Sequence, residues 1–359
     1  MLFYIFLLVL ILIGIVFPKK QNVFVFLLII LCIFVFFRDK TVGTDVEYYS
    51  INFNKINNSR STWNWYIPFE TGFNYLILYF KKIISSNPLD CWGTIGVFYT
   101  ISCCYFFKKY TKNSTLSITL FVLLGTYFLC YNIMRQCFST AILLALFTFI
   151  DIKSPSKIEK LLLILGILSC GFLFHSTSFA FLTLFPFYIP KIQHLFCRKF
   201  MIILLTISFV CFATQIIIPI LSYILEHIFV EGKLINYAIR NMQSGENSGF
   251  SLVKISMITA FQIYTIYISK NLKNIFLYMS TIGLLFLNIF VPLVVEFARV
   301  YELFVVFQIV YFSQLWFSIE KNTNKSYLYR TSLIIYSLFI YSNIILKNYG
   351  EIVPYTFRF

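Results

Sequence analysis

Residues 1–40 read MLFYIFLLVLILIGIVFPKKQNVFVFLLIILCIFVFFRDK. Two uncharged apolar runs, 2–17 and 21–37, are separated by Pro18-Lys19-Lys20 and closed by Arg38-Asp39-Lys40. Crossing a bilayer takes about 20 apolar residues as a helix, with a range of roughly 17 to 25. The pair therefore reads as two membrane helices joined by a lysine turn. Met1 to Phe17 has the apolar middle of a signal peptide but no basic start and no small-residue cleavage site. It is read as the first span.

The rest of the chain repeats this pattern. Hydrophobic residues make up 59% of 359 positions and charged residues 12%, with a mean hydropathy of +0.82. A soluble domain carries roughly a quarter charged residues. In lipid every backbone polar group must be satisfied internally, which favours helices. The expected fold is an all-α, polytopic integral membrane protein with about twelve spans. They lie near 2–17, 21–37, 91–107, 114–134, 137–151, 161–174, 176–190, 201–224, 251–268, 275–294, 300–318 and 331–347. The pair around His175 is short enough to be partly re-entrant. Residues 1–359 form one transmembrane domain, with outer-face loops at 38–70 and 225–250; the polar stretch Gln243 to Gly249 suits a lid.

Short loops rich in lysine and arginine stay cytoplasmic. Lys19-Lys20, Lys108/Lys109/Lys112, Lys153/Lys157/Lys160, Lys191/Arg198/Lys199, Lys270/Lys273 and Lys321/Lys325/Arg330 fall in alternate loops. Placing them inside puts both termini outside the cytoplasmic membrane. It also leaves 70–86 outside. There Phe73, Leu76, Ile77, Phe80, Ile83 and Ile84 recur at helical spacing, with Glu70, Asn74, Lys81 and Lys82 largely opposite. That pattern fits an interfacial amphipathic helix; a thirteenth span is the alternative. Eleven of fourteen carboxylates then share the outer face: Asp39, Asp45, Glu47, Glu70, Asp90, Glu226, Glu231, Glu246, Glu296, Glu302 and Glu351.

The net charge of +15 is mostly this lysine bias. No basic stripe interleaved with aromatics suggests nucleic acid as a partner. The bilayer itself is the partner expected, with phenylalanine in lipid and tyrosine and tryptophan at the interfaces. The nine cysteines and three histidines show no disulfide or zinc spacing, so no metal site is expected.

Five polar features fall at outer span junctions: Arg38 to Tyr49, Phe69-Glu70-Thr71-Gly72, Asn132 to Gln136, Phe174 to Ser178, and Glu296 to Glu302. Each has a simpler reading, such as a snorkelling Arg135, a hydrogen-bonded His175, an ordinary loop Asp45 or a private Glu296–Arg299 pair. Their recurrence on one face argues for a site, because charge near hydrocarbon is costly. Arginine presents a fork that fits phosphate and tolerates desolvation. Arg38, Arg135 and Arg299 suit a pyrophosphate at the lipid surface, and a neighbouring carboxylate or histidine suits proton removal from a hydroxyl.

These residues resemble the EpsG-like branch of the Wzy polysaccharide polymerases. The likeness lies in Arg38…Gly43-Thr44-Asp45…Tyr48, Glu70-x-Gly72, Arg135-Gln136 followed by Ala141, His175-Ser176-x-Ser178 and Arg299-x-Tyr301. It runs from residue 1 to about 320. Gln136-Cys137-Phe138-Ser139 is bulkier than that family's small-residue stretch. The resemblance implies polymerisation of oligosaccharide repeat units carried on polyprenyl pyrophosphate, donor and acceptor alike, into capsule, exopolysaccharide or O-antigen. It implies no cofactor, and a flippase and a chain-length regulator as partners. A GT-C-like arrangement is open. In this reading Asp45 or His175 is the base, with Glu70 among the catalytic carboxylates or orienting an arginine. Arg38, Arg135 and Arg299 hold pyrophosphate; Tyr48, Gln136, Ser176, Glu296 and Tyr301 bind sugar or orient. The alternatives are a lipid-linked oligosaccharide flippase, a related polyprenyl-phosphate-sugar transferase or ligase, and a sugar O-acyltransferase.

Overall fold

A computed structural model describes residues 2–17, 21–56, 69–216, 252–292, 298–319 and 323–358. The protein is all-α. Its helices are α1 (Leu2–Val16), α2 (Gln21–Phe36), α3 (Val46–Lys55), α4 (Thr71–Ile83), α5 (Pro88–Tyr110), α6 (Ser114–Leu123), α7 (Met134–Phe149), α8 (Lys157–Leu173), α9 (Pro190–Leu195), α10 (Arg198–Thr214), α11 (Leu252–Ile268), α12 (Ile275–Phe290), α13 (Ala298–Ser318) and α14 (Asn324–Leu346). Two 3-10 helices, Thr126–Tyr131 and Ser176–Tyr188, join them. Among the described residues the one β-type contact is an isolated antiparallel bridge between Arg38 and Phe357.

Among the described residues two helices, α13 and α14, are each long and apolar enough to cross a bilayer unaided. Six other apolar helices run 10 to 17 residues. The expected span 114–134 is not one straight helix. α6 stops at Leu123, Gly125 adopts φ 83°, and a 3-10 helix follows. Left-handed backbone costs glycine little and interrupts an α-helix. A 3-10 helix rises about 2.0 Å per residue against 1.5 Å in an α-helix. The expected span 176–190 is likewise mostly 3-10 helix, with Pro186 inside it.

The chain divides into two compact units, residues 1–182 with 316–359, and residues 183–315. In the first, α5 lies against α2 and α7, α1 against α6, α8 against α7, and α4 against α8. In the second, α10 packs on α11 and α12. Arg358 pairs with Asp90 at 2.7 Å, and Asp39 N–H donates to Thr356 O. Lys109 Nζ donates to the Thr148 and Ile150 carbonyls, which stabilises the turn before the lysine loop at 153–160.

α4 seats α3 against the start of α5. Trp92 is fully buried, with Tyr49, Phe53, Phe69, Phe73, Ile77, Phe80 and Met134 around it. Phe73 stacks on Trp92 and Tyr49 meets it edge-on. The buried stripe of α4 is Phe73, Asn74, Ile77 and Phe80. Asn74 therefore departs from the sequence expectation: it is 4% exposed and donates to Phe69 O at 3.2 Å. That bond satisfies the buried Nδ2, while Oδ1 has no partner among the described residues.

Candidate functional site

Arg135 lies in the first turn of α7, directly after the junction Tyr131 to Ile133. Its Nη1 donates to Glu70 Oε2 at 2.7 Å and its Nε to Tyr49 Oη at 3.3 Å. The guanidinium lies over the Phe69 ring, 5.0 Å from the centroid. Each element delivers one contact: α3 brings Tyr49, the N-cap of α4 brings Glu70, and the aromatic cluster fixes both. The side chains of Arg135 and Glu70 remain 19% and 24% exposed, so the pair borders open space. Burial pushes the Tyr49 phenol above its usual range, and the Arg135 charge partly offsets this. Arg135 therefore faces a neutral hydroxyl.

Asp45 occupies the N-cap of α3, yet its side chain takes no capping bond. It is half-buried, one turn before Tyr49. Tyr48 is 47% exposed and meets Phe69 edge-on. Asp45, Tyr48, Glu70 and Arg135 thus share one neighbourhood. Gln136, next to Arg135, is buried at 2%, inside the packing rather than facing the opening.

α4 begins where α8 ends. A Cβ on Gly72 would stand 2.6 Å from Leu173 O, so only glycine permits this crossing. Beside it runs a groove of about 460 Å³ lined by Gly72, Tyr75, Leu76, Tyr79, Lys82 and Phe174. Apart from Lys82 the lining is apolar or aromatic. Phe138 packs on Phe73 and Phe174; the bulk of that residue is used here. His175 follows Phe174 and is half-buried. Its Nδ1 accepts from Thr177 N–H at 3.3 Å and lies 2.8 Å from Thr177 Oγ1. A neutral ring held so carries its hydrogen on Nε2. Ser176 is exposed.

Three other expected residues have surroundings of their own. Arg38 is 1% exposed and its guanidinium lies over the Tyr131 ring at 4.9 Å, so it is not an open phosphate ligand in this state. Arg299 is exposed at the start of α13, in the second unit. Tyr301 is 7% exposed and its hydroxyl donates to Gln308 Oε1 at 3.3 Å. Its ring is packed among helices, unlike the open stacking platform expected. Glu296 and the loop 225–250 lie outside the described residues.

The sequence reading omitted Tyr49 and Phe69 as arginine partners. Aromatics beside Tyr48 and Glu70 were the available signal. It also omitted the Arg358–Asp90 pair, whose partners stand 268 residues apart with no local pattern to join them.

The EpsG family model matches residues 21–357, nearly the whole chain and every segment of this cluster. The chain belongs to the EpsG family. Membership makes it a membrane protein of the polysaccharide-polymerase-like kind. No curated protein and no solved structure matches it. Within this EpsG chain, the Glu70–Arg135–Tyr49 cluster and the adjoining groove are the best-built candidate site among the described residues.

Proposed function

We propose that this chain joins polyprenyl-pyrophosphate-linked oligosaccharide repeat units into a polysaccharide at the outer face of the cytoplasmic membrane. In this reading it crosses the bilayer about twelve times with both termini outside, and α4 lies at the interface. The observation that carries the proposal is the apolar groove beginning at Gly72, two residues from the Glu70–Arg135 pair. Such a juxtaposition suits a ligand with a multiply charged anionic head and a hydrocarbon tail.

In the proposed reaction, a hydroxyl of one lipid-linked unit attacks the anomeric carbon of another. The new C–O bond forms as the bond to the lipid pyrophosphate breaks. Asp45 takes the hydroxyl proton. Arg135 holds the pyrophosphate and stabilises the charge that develops on it. Tyr48 offers an exposed ring to a sugar face. Two observations favour Asp45 over His175 as the base: the Asp45 carboxylate makes no capping bond, and His175 Nδ1 is engaged by Thr177. Glu70 is committed to Arg135, which favours single displacement with inversion over a covalent route through a second carboxylate. Arg299 is a separate phosphate candidate, to be tested alone by Arg299→Lys.

A transport reading draws on the second unit. There Gln262 Nε2 donates to Ser280 and Gln308 Nε2 to Gln262 Oε1, while Asn288 bonds Ser208 and Thr259. Polar groups inside apolar helices often line a path. The deciding experiment is polymerisation by purified protein in lipid, with the cognate lipid-linked repeat unit and products resolved by size. A ladder spaced by one repeat unit supports the polymerase. Intact substrate, together with movement of that substrate across the bilayer, would replace it with the transporter.

A further inference from the structure

Arg38 poses a problem of its own. Its Nε, Nη1 and Nη2 are buried and have no hydrogen-bond partner among the described residues. The adjacent Asp39 accepts from Thr41 N–H and Thr41 Oγ1 at its Oδ1. A guanidinium left in this way is strongly unfavourable, and stacking on Tyr131 compensates only in part.

The segment 348–358 covers it. Asp39, Gly43 and Thr44 N–H groups donate to the carbonyls of Thr356, Glu351 and Gly350 at 2.9, 3.0 and 3.2 Å. Tyr355 stacks on Phe3, and Arg358 ends the strap in its ion pair with Asp90. The start of the strap is strained. Glu351 has φ of 49°, a region side chains other than glycine rarely adopt, whereas Asn348, at φ of 48°, ends α14 in the left-handed cap that asparagine tolerates. Between them Gly350, at φ 76°, sits so close to Asn132 that a Cβ would stand 2.2 Å from its Nδ2. Thr44 Oγ1 donates to the same Asn132 at 3.1 Å. The strap thus rests on the junction that carries Tyr131 under Arg38 at one end and Arg135 at the other.

We propose that residues 348–358 are a hinged cover over an anion site, opened when a diphosphate engages Arg135 and gains Arg38 as a second forked ligand. The proposal rests on the diphosphate reading above. Closure carries two unfavourable features, an unpartnered buried cation and a left-handed turn, and opening relieves both. An anion that binds only the open form shifts the balance by its preference for that form. Strap, loop and arginines all belong to the first unit.

Hydrogen exchange on the full-length protein in lipid nanodiscs tests this, with inorganic pyrophosphate as the probe. The amides of Asp39, Gly43 and Thr44 report the cover directly. Pyrophosphate should speed their exchange by about tenfold or more, a shift of the size ligand linkage commonly produces. Asp90→Asn should do so without ligand, by releasing Arg358. Arg38→Lys should weaken pyrophosphate binding, because the fork is lost while the charge is kept. Pyrophosphate binding that depends on Arg135 but leaves the three amides unchanged, with Arg38→Lys binding like wild type, would overturn the cover and leave the site intact. No pyrophosphate binding by wild type would instead remove the phosphate reading beneath both. The wild-type measurement needs no variant to fold.

Discussion

Arg135 and Arg38 border the same short junction, yet the chain treats them oppositely. Arg135 is partly exposed and meets a carboxylate, a phenol and an aromatic face. Arg38 is buried against Tyr131 and, among the described residues, its nitrogens bond to nothing. A charge set between aromatic floor and open space can serve a substrate at once. A charge sealed beneath a strap can act only after a rearrangement. Identity of side chain therefore says little about readiness; what covers the side chain decides it.

Substitutions separate the open site from the sealed one. The largest effect belongs to Asp45→Asn: turnover should fall about 10²- to 10⁴-fold, the usual contribution of a general base. Stability should stay unchanged, since no capping bond is lost. Full-length polymer ladders from this variant would remove Asp45 from the mechanism. Arg135→Lys keeps the charge but not the fork. One charge-assisted contact is worth about 1.5–3 kcal/mol, so polymerisation rate should drop roughly tenfold to a hundredfold. A normal rate would move the pyrophosphate elsewhere.

Trp92→Ala tests the platform rather than the chemistry. Truncating a fully buried tryptophan costs about 3–5 kcal/mol, to be read as a lowered unfolding temperature with the Arg135 site loosened. Arg38→Met should have the opposite sign to any change at Arg135. Replacing a buried unpaired charge by an apolar side chain should stabilise by about 1–3 kcal/mol, and a fall in melting temperature would mean that Arg38 is well solvated or paired. The smallest effect belongs to Glu70→Gln. It leaves a partly exposed arginine without its counter-charge, a loss of about 1–2 kcal/mol between the surface and buried limits. A melting temperature equal to wild type would show that the pair is screened.

Much of the fold was legible in the chain, because lipid leaves few solutions for an apolar run. Runs such as 21–37 and 331–347 could only be helices. The break within 114–134 was not legible, because hydropathy registers apolarity and not the left-handed turn at Gly125. At the site, Asp45, Glu70 and Arg135 stood out as charges at span junctions. Their joining did not, since Glu70 and Arg135 stand 65 residues apart. Tyr301 illustrates the converse: a motif position next to an arginine, whose ring the packing of α13 takes inside.

Composition alone thus determined a helical membrane protein, because hydrocarbon excludes charge and unpaired backbone wherever they occur in sequence. Only the tertiary structure decided which arginine meets a carboxylate and which is sealed. That choice depends on how α3, α4 and the C-terminal strap pack on a shared junction, and close packing joins residues that no local pattern relates.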